Sequence, residues 1–223
     1  MKLLNYLVTG SNRGIGLEFC KQLNNKGINV IATCRNSSED LDKLGVEVIE
    51  EIDVSSEKSI IKLKNCLQGR TIDCLVNNAG IADYNSLNDL DLNSIRRQFE
   101  INALSPLYLT KELLGFLNKG SRIAFITSRM GSIEDNTSGG SYGYRMSKVA
   151  LSMAAKSLAL DLQRNQIYVA ILHPGLVSTR MTGFTKNGIS TSDSVSGLIK
   201  IINNLNKSNT GTFWHTNGEI LPW

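Results

Sequence analysis

Close to its start the chain passes from a dense apolar stretch directly into glycine. Leu3-Leu4-Asn5-Tyr6-Leu7-Val8 is followed by Thr9-Gly10-Ser11-Asn12-Arg13-Gly14-Ile15-Gly16, and that by Leu17-Glu18-Phe19-Cys20-Lys21-Gln22-Leu23. The first stretch is too rich in large apolar side chains for a half-exposed strand and reads as a buried strand of a parallel sheet. The last has its apolar residues at helical spacing. Between them glycines allow backbone conformations and close approaches that other residues resist. Such a turn is either a plain strand-to-helix connector or a phosphate cradle. In a cradle the helix N-terminus presents unpaired N–H groups and a partial positive charge to a pyrophosphate.

The rest of the chain repeats the same alternation. Strands are expected at Ile28–Thr33, Val46–Ile49, Ile72–Val76, Ile123–Thr127, Ile167–Leu172 and around Thr212–Trp214. Helices are expected near Glu39–Leu44, over Ser56–Leu67, along about Leu92–Leu117, from the Tyr144 region to Leu162, and near Ser194–Leu205. This pattern specifies an α/β fold, a doubly wound parallel sheet with helices on both faces and ligands at the carboxyl ends of the strands. Without a linker, repeat or low-complexity tract, residues 1–223 read as a single domain.

A second feature carries chemistry. Tyr144 and Lys148 stand four apart in Tyr142-Gly143-Tyr144-Arg145-Met146-Ser147-Lys148. Residues i and i+4 share a helix face, and an ammonium beside a phenol favours the phenolate, moving the tyrosine down from about 10. A phenol so tuned can exchange a proton during a reaction. By itself the pair equally describes an exposed surface contact. Beside a nucleotide cradle it becomes a catalytic signature.

Thr-Gly-x-x-x-Gly-Ile-Gly together with Tyr-x-x-x-Lys resembles the short-chain dehydrogenase/reductase family. Asn77-Asn78-Ala79-Gly80 after an apolar strand, Pro174-Gly175 after the sixth strand, and Asn102 within Phe99-Glu100-Ile101-Asn102-Ala103 agree, and all occur in the family's order. The resemblance implies a Rossmann fold with seven strands in the order 3-2-1-4-5-6-7. It also implies a nicotinamide dinucleotide bound by Gly10, Ser11, Asn12, Arg13, Gly14, Ile15, Gly16, Asn78, Ala79, Gly80, Pro174, Gly175, Val177 and Thr179, with Tyr144 and Lys148. Asp53 of Asp53-Val54 resembles the family's adenine-binding aspartate, although it could equally cap the helix that starts near Ser56.

For the cofactor, a carboxylate just after the second strand would accept the ribose 2′-OH of NAD. The sequence there, Ile31-Ala32-Thr33-Cys34-Arg35, has none. Arg35 and Arg13 instead offer guanidiniums suited to a 2′-phosphate, so NADP (NADPH) is expected over NAD.

In the division of labour implied by the family, Tyr144 donates a proton to a carbonyl oxygen. Lys148 tunes it and holds ribose hydroxyls, while Ser128 polarises the carbonyl. Asn102 kinks its helix and holds a water of a proton relay. Ser128 ends the fifth strand, three residues before Gly131 as the family pattern requires, yet it stands further from the tyrosine than the family's serine does. The surplus is placed in the loop Ile133–Ser141, rich in Asn, Ser and Gly; Ser132 as a structural hydroxyl is the alternative. His173, preceding the Pro-Gly turn, reads as structural.

The substrate loop, residues 179–191, is short, with two glycines and few large apolar residues. It argues for varied carbonyl compounds (aldehydes, ketones or quinones) over an enclosed steroid. Ser128–Ile133, Gly139–Tyr142 and the segment Gly211–Trp223 resemble a subgroup containing sniffer-type carbonyl reductases and the bacterial C-factor. The subgroup also leaves open a nucleotide-binding signalling protein with incidental turnover.

Composition adds exclusions. No run approaches the roughly 20 apolar residues of a membrane span, and the first strand begins at once, leaving no place for a cleavable signal. Cys20, Cys34, Cys66 and Cys74 lack metal-ligand spacing and read as free buried thiols of a reducing cytoplasm. A net charge of +4 with scattered basic residues gives no nucleic-acid face. The expectation is a cytoplasmic enzyme with a small-molecule substrate, no metal, and a homo-oligomeric (dimer or tetramer) assembly through the long helices Leu92–Leu117 and Tyr144–Leu162.

Overall fold

A computed structural model describes residues 4–223, so Leu3 of the first expected strand lies outside the described residues. Seven strands form one parallel sheet in the order β3-β2-β1-β4-β5-β6-β7. They are β1 (Asn5–Thr9), β2 (Asn29–Thr33), β3 (Glu47–Ile49), β4 (Ile72–Asn77), β5 (Leu117–Ile126), β6 (Tyr168–His173) and β7 (Phe213–His215). The helices are α1 (Gly14–Asn25), α2 (Glu39–Asp42), α3 (Glu57–Cys66), α4 (Leu92–Phe99), α5 (Ser105–Leu113), α6 (Tyr142–Asp161) and α7 (Thr191–Asn203).

The sheet is buried on both faces, which is why its strands read as near-continuous apolar runs. Alternate residues of each strand serve opposite cores. Leu7, Ile31, Leu75, Ile123, Phe125, Val169 and Ile171 join Leu63 of α3, Leu109 of α5 and Leu151 of α6. Tyr6, Val8, Ala32, Val76, Ala124 and Leu172 join Phe19 and Leu23 of α1 and Leu198 and Ile202 of α7. Fully burying one such side chain contributes about 1.5–3 kcal/mol, so these cores hold the strand ends in register. Chain reversal between the neighbours β1 and β4 opens a crevice at their carboxyl ends, the usual ligand position in such sheets.

Element boundaries depart from expectation in three informative places. The single helix expected over Leu92–Leu117 is α4 and α5 joined by one π turn, Glu100–Leu104, with Asn102 at its middle. Apolar periodicity runs through such a turn without registering the extra residue. Strand β5 begins at Leu117, six residues earlier than expected, and its pairing with β4 jumps between Ile72 and Cys74, marking an irregularity. Helix α3 is capped by Ser56, whose hydroxyl accepts from Ser59 N, so Asp53 is not its cap. Of the cysteines, Cys20, Cys34 and Cys74 are free and buried as expected, but Cys66 at the end of α3 is free and exposed.

Candidate active site

The glycine turn is built from backbone contacts that only glycine permits. Gly10 and Gly14 hold left-handed φ values of +66° and +56°. A Cβ on Gly16 would lie 2.2 Å from the Gly10 carbonyl oxygen and 2.6 Å from Asn78 Nδ2. The turn is latched to β4. Thr9 Oγ1 accepts from the backbone N–H groups of Asn78 and Ala79, both at 3.0 Å, while Asn78 Nδ2 donates to the carbonyls of Thr9 (2.8 Å) and Gly10 (3.2 Å). The Asn78 side chain thus braces the cradle from behind. Ser11 is also turned inward, its hydroxyl donating to Val8 O.

At the start of α1, no side chain caps the N-terminus and the first turn contains no carboxylate. These are the conditions under which first-turn N–H groups and the helix dipole suit a phosphate. Gly14 faces Thr179 across the crevice: a Cβ on Gly14 would stand 3.6 Å from Thr179 Cγ2. Gly80 comes close to Asn102 and Lys148, since a Cβ on it would stand 3.1 Å from Asn102 Oδ1 and 3.6 Å from Lys148 Nζ. Bare backbone therefore lines the crevice from Gly10 to Gly80, and the residues present fit a dinucleotide.

Asn12 Nδ2 donates to Asn36 O at 3.0 Å, tying the glycine turn to the loop after β2 and bringing exposed Arg13 and Arg35 to one rim. Arg35 lines a cavity of about 430 Å³ with Glu50, Glu51 and Lys62. Sequence reasoning missed Glu50, which arrives from the end of β3 rather than β2; its carboxylate accepts from Ser37 N. Asp53 and Val54 are half-buried. Ser55 hydrogen bonds hold the Asp53 carboxyl below its ordinary value, with Arg35 and Arg97 adding to the effect, so the side chain is an anion fixed in place.

Ser128, Tyr144 and Lys148 converge at the far end of this crevice. All three are nearly inaccessible to solvent. Ser128 lies beside the Tyr144 phenol, and its Oγ accepts from Met130 N at 3.1 Å. Ser132 points elsewhere and caps the next turn by accepting from Asp135 N. Gly131 explains the spacing that separates the two serines: a Cβ there would lie 2.8 Å from the backbone of Lys148 and Val149, so the loop after Ser128 packs directly on α6.

Lys148 Nζ stands 5.7 Å from the Tyr144 ring centroid and donates to Ile126 O at 2.9 Å. Burial lowers Lys148 to about 8. The expected depression of Tyr144 is not found. Burial raises the phenol above its ordinary value and Tyr84 adds to this, while the Ser128 hydrogen bond works in the opposite direction. The reason is that ammonium and phenol are desolvated together, and loss of water outweighs a charge that is itself weakened by burial.

Asn102 uses its whole amide. Oδ1 accepts from Ile81 N, and Nδ2 donates to Ile81 O and to Ser147 Oγ, at 2.9, 2.9 and 3.0 Å. The π turn aims this side chain across to the β4 loop and to α6 at once. His173 lies against His215 with centroids 5.1 Å apart, and burial, then His215, lowers it to about 3.

Two features carried no sequence signal. Arg145 organises the inserted loop, donating to the carbonyls of Gly139, Gly140 and Met130 and to Ser138 Oγ. Farther along the chain, Glu134 N donates to Trp223 O, and Arg129 pairs with Asp135 at 2.8 Å and Glu219 at 3.9 Å. On the β6 side, Pro174 O accepts from Ser194 Oγ, and Gly175 has φ +83°. The loop spanning residues 179–191 is pinched at its base by a bridge between buried Val177 and exposed Ile189.

The family model described as short chain dehydrogenase matches residues 5–189. The chain belongs to the short-chain dehydrogenase/reductase family. It is 37% identical over 222 residues to the 1-hydroxy-2-glutathionyl-2-methyl-3-butene dehydrogenase of a Rhodococcus strain, covering 97% of this chain and 98% of that protein. It is 43% identical over 155 residues to the C-signal protein of Myxococcus xanthus, covering 68% and 93%. Among solved structures, the carbonyl reductase Sniffer of D. melanogaster superimposes with a TM-score of 0.90 at 30% identity, over 100% of both chains. The NADPH-bound carbonyl reductase from chicken fatty liver does so with 0.89 at 28% identity, again over 100% of both. The resemblance to sniffer-type reductases and to the C-signal group therefore holds, and the protein is an oxidoreductase of a family that uses NAD(P) on small molecules. Among the described residues no helix is long and apolar enough to cross a membrane.

Proposed function

We propose that the protein is an NADPH-dependent carbonyl reductase acting on aldehydes, ketones or quinones. The observation that carries this reading is the buried group of Ser128, Tyr144 and Lys148 at the end of a glycine-lined crevice. A nicotinamide coenzyme, when bound, supplies the hydride. Tyr144 supplies the proton: burial keeps its phenol in the protonated, donating form. Ser128, already beside the phenol, hydrogen-bonds the same substrate oxygen and stabilises charge developing there. Lys148 is an ammonium at neutral pH, placed to offset the phenolate that proton transfer creates, with two N–H groups left for ribose hydroxyls once Ile126 O has taken one. Asn102 ties Ile81 to Ser147, the residue before Lys148, and this supports a relay from Lys148 to solvent.

Arg13 and Arg35 on one rim support NADPH over NADH, as does the NADPH found in the chicken reductase structure. The reading includes a single domain over residues 1–223 and pairing of copies through α4–α5 and α6, which expose Leu104, Leu107, Met153 and Leu160. The experiment is a carbonyl panel with NADPH, followed by absorbance loss, beside Tyr144→Phe. Reduction by the wild type and its near-abolition in the variant are expected; equal rates would overturn the assignment. The 43% identity to C-signal favours one second reading, a nucleotide-binding regulatory protein, which gains if the wild type binds NADPH yet reduces nothing.

A further inference from the structure

Tyr84 has no place in the core or in the cradle, yet its ring meets Tyr144 edge-on, with centroids 6.0 Å apart and planes at 64°. It is 54% exposed, whereas Tyr144 is only 8% exposed. The segment carrying it has no regular structure but is held at every second residue. Ile81 is bonded on both backbone groups by Asn102, Asp83 is held by Gln98 and Ser94, and Asn85 O accepts from Ser141 N at 2.7 Å. That last bond ties the segment to the first turn of α6, which bears Tyr144. An open aromatic ring is thus fixed against the proton donor. Ile133, Leu176, Met181 and Phe184, on the loops that follow β5 and β6, are exposed apolar side chains as well, as are Leu87 and Leu90 farther along the segment that carries Tyr84.

Resting on the carbonyl-reductase reading, we propose that Tyr84 is a specificity-determining residue that selects carbonyl compounds whose C=O is conjugated to a flat π-system. A carbonyl oxygen brought to Tyr144 and Ser128 enters beside the Tyr84 ring. A flat substituent in the same plane stacks on or meets the edge of that ring, whereas a puckered aliphatic group of equal size does not. Burial holds the Tyr84 phenol above its ordinary value, so the wall stays neutral across the working pH range.

The test uses NADPH-loaded protein and two amides that are not reduced, benzamide and cyclohexanecarboxamide, with dissociation constants read by ligand-observed NMR. Benzamide is expected to bind the wild type about fivefold more tightly or better. Tyr84→Phe should keep the preference and Tyr84→Ala should lose it. In turnover, Tyr84→Ala should lower kcat/KM for benzaldehyde at least about fivefold more than for an aliphatic aldehyde of equal size. An absent preference in the wild type, its survival in Tyr84→Ala, or an equal loss for both classes would overturn the proposal. Failure of the reductase reading shows separately, as no NADPH consumption with any carbonyl.

Discussion

Replacing Lys148 with methionine should destroy function and strengthen the fold. The ammonium is fully enclosed, and burial has moved it from 10.5 to about 8. That difference corresponds to about 3 kcal/mol of destabilisation of the folded state wherever the lysine is charged in both states. Methionine fills the same volume without charge, but leaves Ile126 O without its donor, at a cost of about 1 kcal/mol. The balance at pH 7 favours Lys148→Met by about 2 kcal/mol, or roughly 4–8 °C in Tm for a chain of this size. The sign reverses with pH. Between about pH 8 and 10.5 the folded wild type has already released a proton that the unfolded chain still holds. Wild-type stability relative to the variant therefore climbs through that window, and the advantage of methionine vanishes above it. Thermal unfolding of both proteins from pH 6 to 11 measures this directly, with Tyr144 common to both and cancelling. A variant less stable than the wild type at pH 7, or an advantage that persists unchanged at pH 10.5, would refute the claim that the site keeps a charge at the fold's expense.

Other substitutions give sharper tests of single contacts. Ser128→Ala should lower kcat about 10²–10³-fold, as loss of one oxyanion donor does, whereas Ser132→Ala should leave kcat within a few-fold and lower Tm slightly through its lost cap; the reverse ranking in steady-state kinetics would exchange their roles. Gly16→Ala should disrupt the Asn78 latch, lowering stability by about 1–3 kcal/mol and abolishing NADPH binding, both measurable by thermal shift with and without NADPH. An Arg13→Ala, Arg35→Ala double variant should lose a preference for NADPH over NADH of at least about tenfold, or about 1.4 kcal/mol, measured as dissociation constants; an unchanged ratio would move the 2′-phosphate elsewhere.

The parts of this molecule that were legible in sequence are those set by local rules. Strand β1, the glycine turn and α1 follow from apolar density and glycine spacing, and Tyr144 and Lys148 from helix periodicity. The family resemblance puts Ser128 ahead of Ser132 because Gly131 sits three residues on, and Gly131 packs closely on α6. What could not be read depends on distance in sequence. Glu50 reaches the Arg35 rim only because β2 and β3 are adjacent. The π turn at Asn102 leaves the apolar pattern intact, and Tyr84 lies in a segment with no periodicity at all. The raised pKa of the Tyr144 phenol lies beyond the pattern for a similar reason: a spacing of four places an ammonium nearby but says nothing of how much water both groups lose.

The crevice is assembled from segments that the ribosome delivers far apart in time. Thr9 can close the glycine turn once Asn78 and Ala79 have emerged, since they are the donors to its hydroxyl. The loop after Ser128 acquires the bond from Glu134 N only when Trp223 arrives, about 7–30 s later at 5–20 residues per second. The partners that latch the glycine turn are thus made well before the partner that ties down the loop after Ser128, whereas the face of α1 that packs on Leu198 and Ile202 waits for α7.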